Sequence, residues 1–518
     1  MKKTNLFFSL SMLVALVVMM ASCTKSAEEY VNVIPADAAM VVSFDVKSLT
    51  QKCGLKNDSK DKVIDALQSG LDAETFAQVE KIMKDPAESG ISIDSKIYIF
   101  CIGEKFLPSF VAKVADVNKV KNMFALLEKQ QVTKALEEKN GCFVTEIPKQ
   151  ATFVFNEKAL IISAIPNGVE QVTAWMSQPA DKSMAANKGF QKMEGEKTDV
   201  ATYLSMDALM SVSSALNAAQ GMPTAYMNGF LPEGVNLQDM NLIYTLNFEK
   251  GKIALGVSYY TENEQLKKFY AENSKMCSDI KGTFSDFFPA STMFYMAMNV
   301  KGDGLYTYLQ KIAKIKDTLA QVPLDWEKLI GSFDGDISVG LTGLSAQGMP
   351  ALTAYAEMKD DYALKTFLTY KDMLTGMGGV FKENAENDYV VTAQGMSIYF
   401  GMAKKHLYIT TDEATYKNIN KSVSDPMTKA PWASEIKNSA SFVAINVNGI
   451  MQNPMVGMLI GMSGQKGQLA KAVLSQISYV DVYGQMNQTG GMNIVLNNKD
   501  INALQLICEE IEKFAGAF

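Results

Sequence analysis

The chain has 518 residues, of which 47% are hydrophobic and 20% charged, and its formal net charge is −7. This apolar fraction is typical of a globular protein, which excludes a wholly disordered or fibrous chain. All 49 basic residues are lysine and acidic residues outnumber them, so no nucleic-acid partner is expected. At about 100–200 residues per domain, the length predicts about three domains, and at least two.

The N-terminus carries a targeting segment. Two lysines precede an apolar run from Leu6 to Ala21, and Cys23 follows after one serine. The run is shorter than the roughly 20 residues that cross a bilayer. Small residues directly before a cysteine resemble the lipobox of bacterial lipoproteins, in which the cysteine becomes the lipidated first residue. The sequence therefore predicts a signal peptide over residues 1–22 and a lipid on Cys23.

Residues 23–33 are predicted to form a lipidated tether, which anchors the mature chain to a membrane without spanning it. More than one acyl chain makes such anchoring stable. We expect an outer-membrane lipoprotein of the cell envelope. The acidic pair Glu28 and Glu29 lies close to the cysteine, as in some Gram-negative lipoproteins that are exported to the outer face. The periplasmic side and the cell-surface side both stay open.

The rest of the chain is predicted to contain two copies of one unit. The strand-like segment Met40–Lys47 is matched by Phe294–Lys301, and the two-strand segment Tyr244–Tyr260 is matched by Tyr479–Leu496. Further matches lie between them in the same order. Units of this length exceed the repeat periods of solenoids, so we expect tandem domains. The predicted boundaries are 34–283 for the first unit and 284–518 for the second.

Each unit is predicted to have an α+β fold. Apolar residues alternate with polar ones in segments such as Tyr244–Phe248, which indicates half-buried antiparallel strands. The sequence Glu249–Lys252 suits a tight hairpin turn. Regular βα alternation with glycine-rich turns is missing. We therefore expect two tandem homologous domains, each an antiparallel sheet with helices packed mainly on one face.

The cysteines and the single histidine argue against a metal site. Five cysteines follow Cys23, and none is in a CxxC spacing. One histidine cannot complete a usual zinc set with scattered cysteines. Cys101 and Cys142 lie in strand-like segments, which predicts buried core thiols, and a bridge between them stays open. No metal or cofactor is predicted.

A recurring polar residue follows several predicted strands. It is an aspartate in some copies and an asparagine in others: Asp45, Asp207, Asn299 and Asn448. Asparagine cannot act as a general base, but both residue types can accept a hydrogen bond from free N–H groups at the start of a helix. These residues are therefore predicted to be helix N-caps rather than catalytic groups.

Two other polar features have structural interpretations. The sequence Phe333–Asp336 contains two aspartates but lacks the further oxygen ligands of a calcium loop, so turn chemistry is predicted. His406 has no nearby nucleophile or orienting acid, and we expect it at the surface or at a strand edge. No catalytic residue is predicted.

Methionine is the most suggestive residue type, with 32 copies. An apolar partner patch is predicted around six of them: Met451, Met455, Met458, Met462, Met222 and Met227. Adaptable methionine surfaces can bind varied apolar partners. Ordinary core filling is the alternative interpretation, and glycine and proline in both stretches argue against regular helices.

The export signal, the cysteine, the short tether and the opening from Pro35 to Asp45 together resemble a known group. They are similar to the large lipoproteins of unknown function of Bacteroidales-type bacteria, which form a domain-of-unknown-function family. The resemblance covers nearly the whole chain in organisation. It implies the envelope location and the domain plan, and it implies no catalytic residues.

The leading functional hypothesis is a membrane-anchored envelope lipoprotein with a non-enzymatic binding or scaffolding role. Its partners would be the membrane, through the N-terminal lipid, and a protein or an apolar ligand. Two alternatives stay open. One is a glycan-processing or other hydrolytic accessory whose site lies between the domains. The other is a carrier of an apolar ligand.

Overall fold

The computed structural model of the chain describes residues 29–54, 72–103, 106–211, 232, 235–344, 349–376, 378–393 and 395–515. These residues form two compact units. The first contains the described residues of 29–222, 237–262 and 499–515, and the second contains those of 223–236 and 263–498. Both units combine helices with antiparallel strands, which confirms the α+β class.

The two compact units are discontinuous in sequence, whereas the predicted segments 34–283 and 284–518, which stay a prediction, are continuous. Helix Glu264–Ala271 belongs to the second unit, where the Phe269 ring lies 6.0 Å from the ring of Tyr308. Helix Ala503–Ala515 belongs to the first unit, where Cys508 forms a disulfide with Cys53. Local sequence predicts these helices but carries no signal for the unit on which each one packs.

The first unit contains one antiparallel sheet of ten described strands. Their bounds are β1 Met40–Phe44, β2 Ile97–Ile102, β3 Leu107–Lys113, β4 Glu137–Lys139, β5 Cys142–Ile147, β6 Ala151–Phe155, β7 Ala159–Ser163, β8 Val200–Ser205, β9 Met240–Glu249 and β10 Lys252–Thr261. Within the unit they pair in the order β4-β5-β6-β7-β3-β2-β1-β8-β9-β10.

The second unit also contains an antiparallel sheet of ten described strands. Their bounds are β11 Phe294–Lys301, β12 Phe333–Leu344, β13 Pro350–Met358, β14 Val380–Ala385, β15 Asp388–Ala393, β16 Met396–Ala403, β17 His406–Thr410, β18 Ser441–Ile445, β19 Ile477–Gly484 and β20 Gly490–Leu496. Their order within the unit is β14-β15-β16-β17-β13-β12-β11-β18-β19-β20. Strand for strand, this is the order of the first sheet.

Hairpin turns form where the sequence places them. Strands β9 and β10 are joined by Lys250 and Gly251, and Gly251 has a φ of 67°. A left-handed φ favours glycine because it has no Cβ to clash with the backbone. The predicted hairpin at Glu249–Lys252 is therefore confirmed.

The helices of the first unit lie at Val46–Cys53, Ala73–Lys84, Val117–Lys129, Val169–Met176, Lys188–Gly195 and Ala503–Ala515. The helices of the second unit lie at Glu264–Ala271, Gly302–Leu309, Ala313–Ala320, Trp326–Gly331, Tyr362–Leu368, Lys371–Gly376, Glu413–Tyr416, Ala433–Lys437, Val447–Met451, Pro454–Met462 and Gly464–Leu474. Short 3-10 turns, such as Glu29–Val33, complete the connections.

Apolar side chains cover both faces of the first sheet. On one face Tyr98 and Phe100 of β2 belong to a buried cluster with Trp175 of helix Val169–Met176. On the other face Ile97 of β2 belongs to a second cluster, which includes Phe124 of helix Val117–Lys129. Successive residues of a strand point to opposite faces, so one strand contributes to both clusters.

The second sheet is covered unevenly. One face lies under a fully buried aromatic cluster that includes Tyr295, Tyr355 and Trp432. On the opposite face smaller clusters form around Ala363 and Leu364 of helix Tyr362–Leu368. The rest of that face reaches solvent, and it is the candidate site described below.

A fully buried aspartate in each unit ties loops or helices to the sheet of that unit. In the first unit the Asp199 carboxylate accepts hydrogen bonds from Lys52 Nζ at 2.7 Å and from the backbone N–H of Phe248 at 2.6 Å. In the second unit Asp336 accepts bonds from the backbone N–H groups of Gly282 and Thr283 at 2.7 and 2.9 Å. Buried carboxylates are stable when such donors satisfy their oxygens.

Candidate binding surface

The exposed part of the second sheet forms a continuous apolar surface, which we call the open face. Its side chains come from seven neighbouring strands, β16, β17, β13, β12, β11, β18 and β19, and none of them carries a hydrogen-bonding group. The members are Phe294, Met296, Val339, Leu341, Leu352, Ala354, Ile398, Ile409, Val443, Ile445, Val480 and Val482.

Strand register puts these residues side by side. Met296 on β11 is directly opposite Val339 on β12 and Val443 on β18. Directly opposite residues in an antiparallel pair share a face and lie close together. Leu352 and Ile409 are 41% and 44% exposed. An apolar surface of this kind commonly marks a binding site on a soluble protein.

A helical hairpin follows strand β18 and carries the predicted methionine patch. Helix Pro454–Met462 begins at Asn453, whose side chain accepts a hydrogen bond from the N–H of Met455 at 3.0 Å. Proline at the first helical position needs no hydrogen-bond acceptor for its nitrogen, so it suits a helix start. The expectation that glycine and proline would prevent a regular helix here is therefore wrong.

The hairpin is tightly closed. Helix Gly464–Leu474 follows directly, and Gly464 has a φ of 58°. A Cβ on Gly467 would lie 2.0 Å from the carbonyl oxygen of Ile460. Glycine at this position therefore allows the backbones of the two helices to approach closely.

The predicted methionines divide into three groups. Met458 and Met462 are 58% and 79% exposed, whereas Met451 and Met455 are half-buried. Met222 and Met227 lie outside the described residues, as does Cys23, so the predictions for these three positions stay predictions. Leu459, which the sequence analysis did not single out, is 62% exposed beside Met458.

The predicted helix caps are only partly correct. The Asp45 side chain accepts a hydrogen bond from the N–H of Ser48 at 2.9 Å and caps helix Val46–Cys53, as predicted.

The other three predicted caps are not caps in the structure. Asn299 lies inside strand β11, and its side-chain amide donates a hydrogen bond to Asp336. Asn448 lies inside helix Val447–Met451, and Asn446 is the cap. Asp207 likewise lies inside a helix, and the Ser205 hydroxyl, two residues earlier, accepts a hydrogen bond from the N–H of Ala208. The prediction for Asn299 is wrong because β11 runs on to Lys301. Those for Asp207 and Asn448 are wrong because each helix begins earlier in the sequence than predicted.

The two other polar features also differ from expectation. Phe333–Asp336 begins strand β12 with a bulge rather than forming a free turn, and Gly335 has a φ of 137° there. His406 starts β17, which pairs on both sides with β13 and β16, so it is not on an edge strand. The His406 ring lies 5.0 Å from the ring of Phe284. This packing gives His406 a structural role.

A partly buried polar cluster in the first unit brings together Glu194, Tyr98 and Lys96. One carboxylate oxygen of Glu194 accepts hydrogen bonds from the Tyr98 hydroxyl at 3.0 Å and from Lys96 Nζ at 3.2 Å. Burial raises the pKa of Tyr98 well above its usual value, and the neighbouring Tyr30 and Glu194 act in the same direction. Tyr98 therefore keeps its proton and donates to Glu194, an arrangement that stabilises the core.

The first unit also has an apolar pocket of about 90 Å³ between helices Ala73–Lys84 and Val117–Lys129. Val79, Ile91 and Met123 are among its lining residues. Ligand pockets usually measure about 300–1,000 Å³. The pocket is too small for most ligands, and the open face is the stronger candidate.

The described residues contain no group of three or more His, Cys, Asp or Glu side chains that could hold a metal ion. Among the same residues, no helix combines the length and the apolar character that a membrane crossing requires. Cys101 and Cys142 are buried, as predicted, and both are free thiols. Burial raises the pKa of both thiols.

These features define an α+β protein with an antiparallel sheet in each unit and an apolar surface on the second. The family model described as "Domain of unknown function (DUF4836)" matches residues 30–504, and the chain belongs to this family. The search of curated proteins found no match.

Two solved structures show weak similarity. "Structure of crystal form IV of TP0453" is 12% identical, with a TM-score of 0.25, over 45% of this chain and 81% of that chain. "Structure of crystal form III of TP0453" has the same identity and TM-score, over 48% of this chain and 88% of that chain.

Sequence reasoning singled out Met458 and Met462 as part of a partner patch, which stays a prediction, but it missed the open face. The signal was present in β11, where Phe294, Met296 and Met298 alternate with the buried residues Tyr295 and Ala297. A strand that is apolar on both faces is usually covered on both. Only the structure shows that one of these faces reaches solvent.

Proposed function

We propose that the protein is a lipid-anchored lipoprotein of the cell envelope that binds an apolar ligand on the open face without catalysing a reaction. The observation that carries the proposal is the chemistry of that face. None of its side chains can donate or accept a hydrogen bond, and its backbone groups already pair between strands. A ligand that fits such a face must itself be apolar.

The surface favours a carrier or binding role over glycan processing. A glycosidase needs two carboxylates that flank the scissile bond. The open face contains no carboxylate, and an unpaired sugar hydroxyl would lose its hydrogen bonds to water there. A hydrolytic site that lies between the units stays a prediction.

Two features support the envelope location. Cys53 and Cys508 form a disulfide, and such bonds persist mainly in exported proteins. Cys23 follows a signal-like segment in the sequence. We propose an anchor in the outer membrane of a Bacteroidales-type bacterium. The periplasmic side and the cell-surface side both stay open.

We also propose that the two units arose by duplication. The strand order that the two sheets share supports this proposal.

Binding on the open face is testable with an apolar fluorescent probe, N-phenylnaphthylamine. We expect the double variant Ile409→Thr/Val482→Thr to bind the probe about tenfold more weakly, since each buried hydroxyl would lose hydrogen bonds to water. Threonine keeps the branched shape that suits a strand. The measurement is a fluorescence titration of the purified protein.

Val380→Thr is the matched control, because Val380 is 67% exposed and lies on the other face of the same sheet. It should bind the probe as the parent does. Equal affinity in the parent and the double variant would show that the open face is not the binding site.

The anchor has its own test. We expect Cys23→Ala to abolish metabolic labelling of the chain with an acyl-chain precursor, because the thiol is the proposed attachment point. The measurement is the label that the chain carries on a gel of labelled cells. Cys277→Ala, which alters a cysteine outside the disulfide, should label normally. Undiminished labelling of Cys23→Ala would rule out this anchor.

A further inference from the structure

The hairpin helix Pro454–Met462 is apolar along its whole length, although much of it is exposed. Its sequence is PMVGMLIGM, without a charged or polar side chain. Met458, Leu459 and Met462 are 58%, 62% and 79% exposed. A helix that is apolar on all sides is normally buried in a protein core or in a membrane. In the described part of the chain, no protein core covers these three side chains.

The sequence segment that contains the hairpin is positively charged, whereas the whole chain is negatively charged. Between Glu435 and Asp481 the sequence contains no acidic residue but three lysines, Lys437, Lys466 and Lys471. The complete chain has a net charge of −7. Cationic groups beside an apolar helix are typical of segments that lie on anionic membrane surfaces.

The form of the helix distinguishes a bilayer from a protein groove. A helix that docks in a groove is usually amphipathic, with a polar face that stays in water. Here every side chain from Pro454 to Met462 that reaches solvent is apolar. The acyl boundary of a bilayer can surround such a surface, whereas a groove would leave part of it in water.

We propose that helix Pro454–Met462 inserts its exposed side chains into the headgroup and acyl boundary of a lipid bilayer. The proposal rests on the anchored location proposed above. Five residues separate Cys23 from Glu29, the first described residue, and the six steps between the two Cα atoms span at most about 22 Å. A lipid on Cys23 would therefore hold the folded chain next to a bilayer at all times. The hairpin then adds a second, reversible membrane contact.

The test is flotation of the protein with vesicles of phosphatidylethanolamine and phosphatidylglycerol. A form that begins at Thr24 keeps every described residue and lacks Cys23, so the result does not depend on acylation. We expect this form to float with the vesicles. The triple variant Met458→Ser/Leu459→Ser/Met462→Ser should partition at least about tenfold more weakly, because three apolar contacts are lost.

The matched control is Val322→Ser/Met373→Ser/Val380→Ser, which alters three other exposed apolar residues of the same unit. It should float like the parent. Circular dichroism establishes that both triple variants keep the fold. A parent that stays in the aqueous fraction, or equal flotation of the parent and the hairpin variant, would overturn the proposal. Loss of self-association in the hairpin variant, without flotation of the parent, would assign the helix to a second copy of the chain instead.

The depth of the helix in the bilayer can be measured independently of flotation. Met462→Trp places a fluorophore at the most exposed position of the helix, and lipids brominated on their acyl chains quench tryptophan on contact. After subtraction of the parent spectrum, we expect the added emission to fall by roughly half, as for a side chain at the acyl boundary. Val380→Trp should show no such quenching. Equal quenching of the two variants would contradict insertion of the helix.

Discussion

Asp336→Ala is expected to lower the free energy of unfolding of the second unit by about 3–5 kcal/mol. Asp336 is fully buried, and its carboxylate accepts three backbone N–H bonds, from Lys281, Gly282 and Thr283. The side-chain amide of Asn299 donates a fourth at 2.8 Å. Without the carboxylate these donors stay buried but lose their acceptor, and each such loss costs about 1–3 kcal/mol.

The measurement is denaturant unfolding followed by tryptophan fluorescence, to which Trp432 contributes from the core of the same unit, where it is 1% exposed. Asp334→Ala is the control. Asp334 lies two residues earlier on the same strand and is exposed, so the change should stay within about 0.5 kcal/mol. Similar unfolding midpoints for the two variants would show that loop 281–283 does not depend on the buried carboxylate.

The second large effect is expected from the disulfide. Cys53 and Cys508 are 455 positions apart in the sequence and join helices Val46–Cys53 and Ala503–Ala515. A bridge over a long loop restricts the unfolded chain, and its removal typically costs about 2–5 kcal/mol. In Cys53→Ser/Cys508→Ser we expect the C-terminal helix to detach more often from the first unit.

Hydrogen exchange of helix Ala503–Ala515 reports this detachment. Its amides should exchange at least about tenfold faster in the double variant, because 1.4 kcal/mol already corresponds to that factor. Cys277→Ser alters a cysteine of the second unit that is outside the disulfide, and it should leave the exchange unchanged. Equally slow exchange in the double variant would mean that packing alone holds the helix in place.

The strands were the most predictable part of the fold. Alternation of apolar and polar residues and the turn at Glu249–Lys252 follow from local chemistry, and both survive in the structure. One cap prediction failed because its strand runs past the predicted cap. Asn299 lies inside β11, whereas Asp45 follows the end of β1. Strand ends depend on pairing with neighbours, which the sequence of one strand does not contain.

The long-range features could not be predicted for a related reason. The pairing of Cys53 with Cys508 is one of many that five cysteines allow, and sequence spacing does not choose among them. The high methionine content led to the predicted partner patch around Met458 and Met462. The open face was not predicted, because exposure of β11 depends on what covers Met296, and only the three-dimensional arrangement determines that.

Each predicted repeat ends in a helix that belongs to the other compact unit. The C-terminal segment is fixed to the hairpin of the first unit, where Asn502 donates to the carbonyl oxygen of Phe248 at 2.9 Å. A chain cut after Thr283 would yield two fragments, and each would lack a helix that its own unit uses. Separate molecules that trade an element in this way form domain-swapped dimers, whose assembly depends on concentration. A single polypeptide that encodes both partners keeps them at a fixed ratio at any dilution.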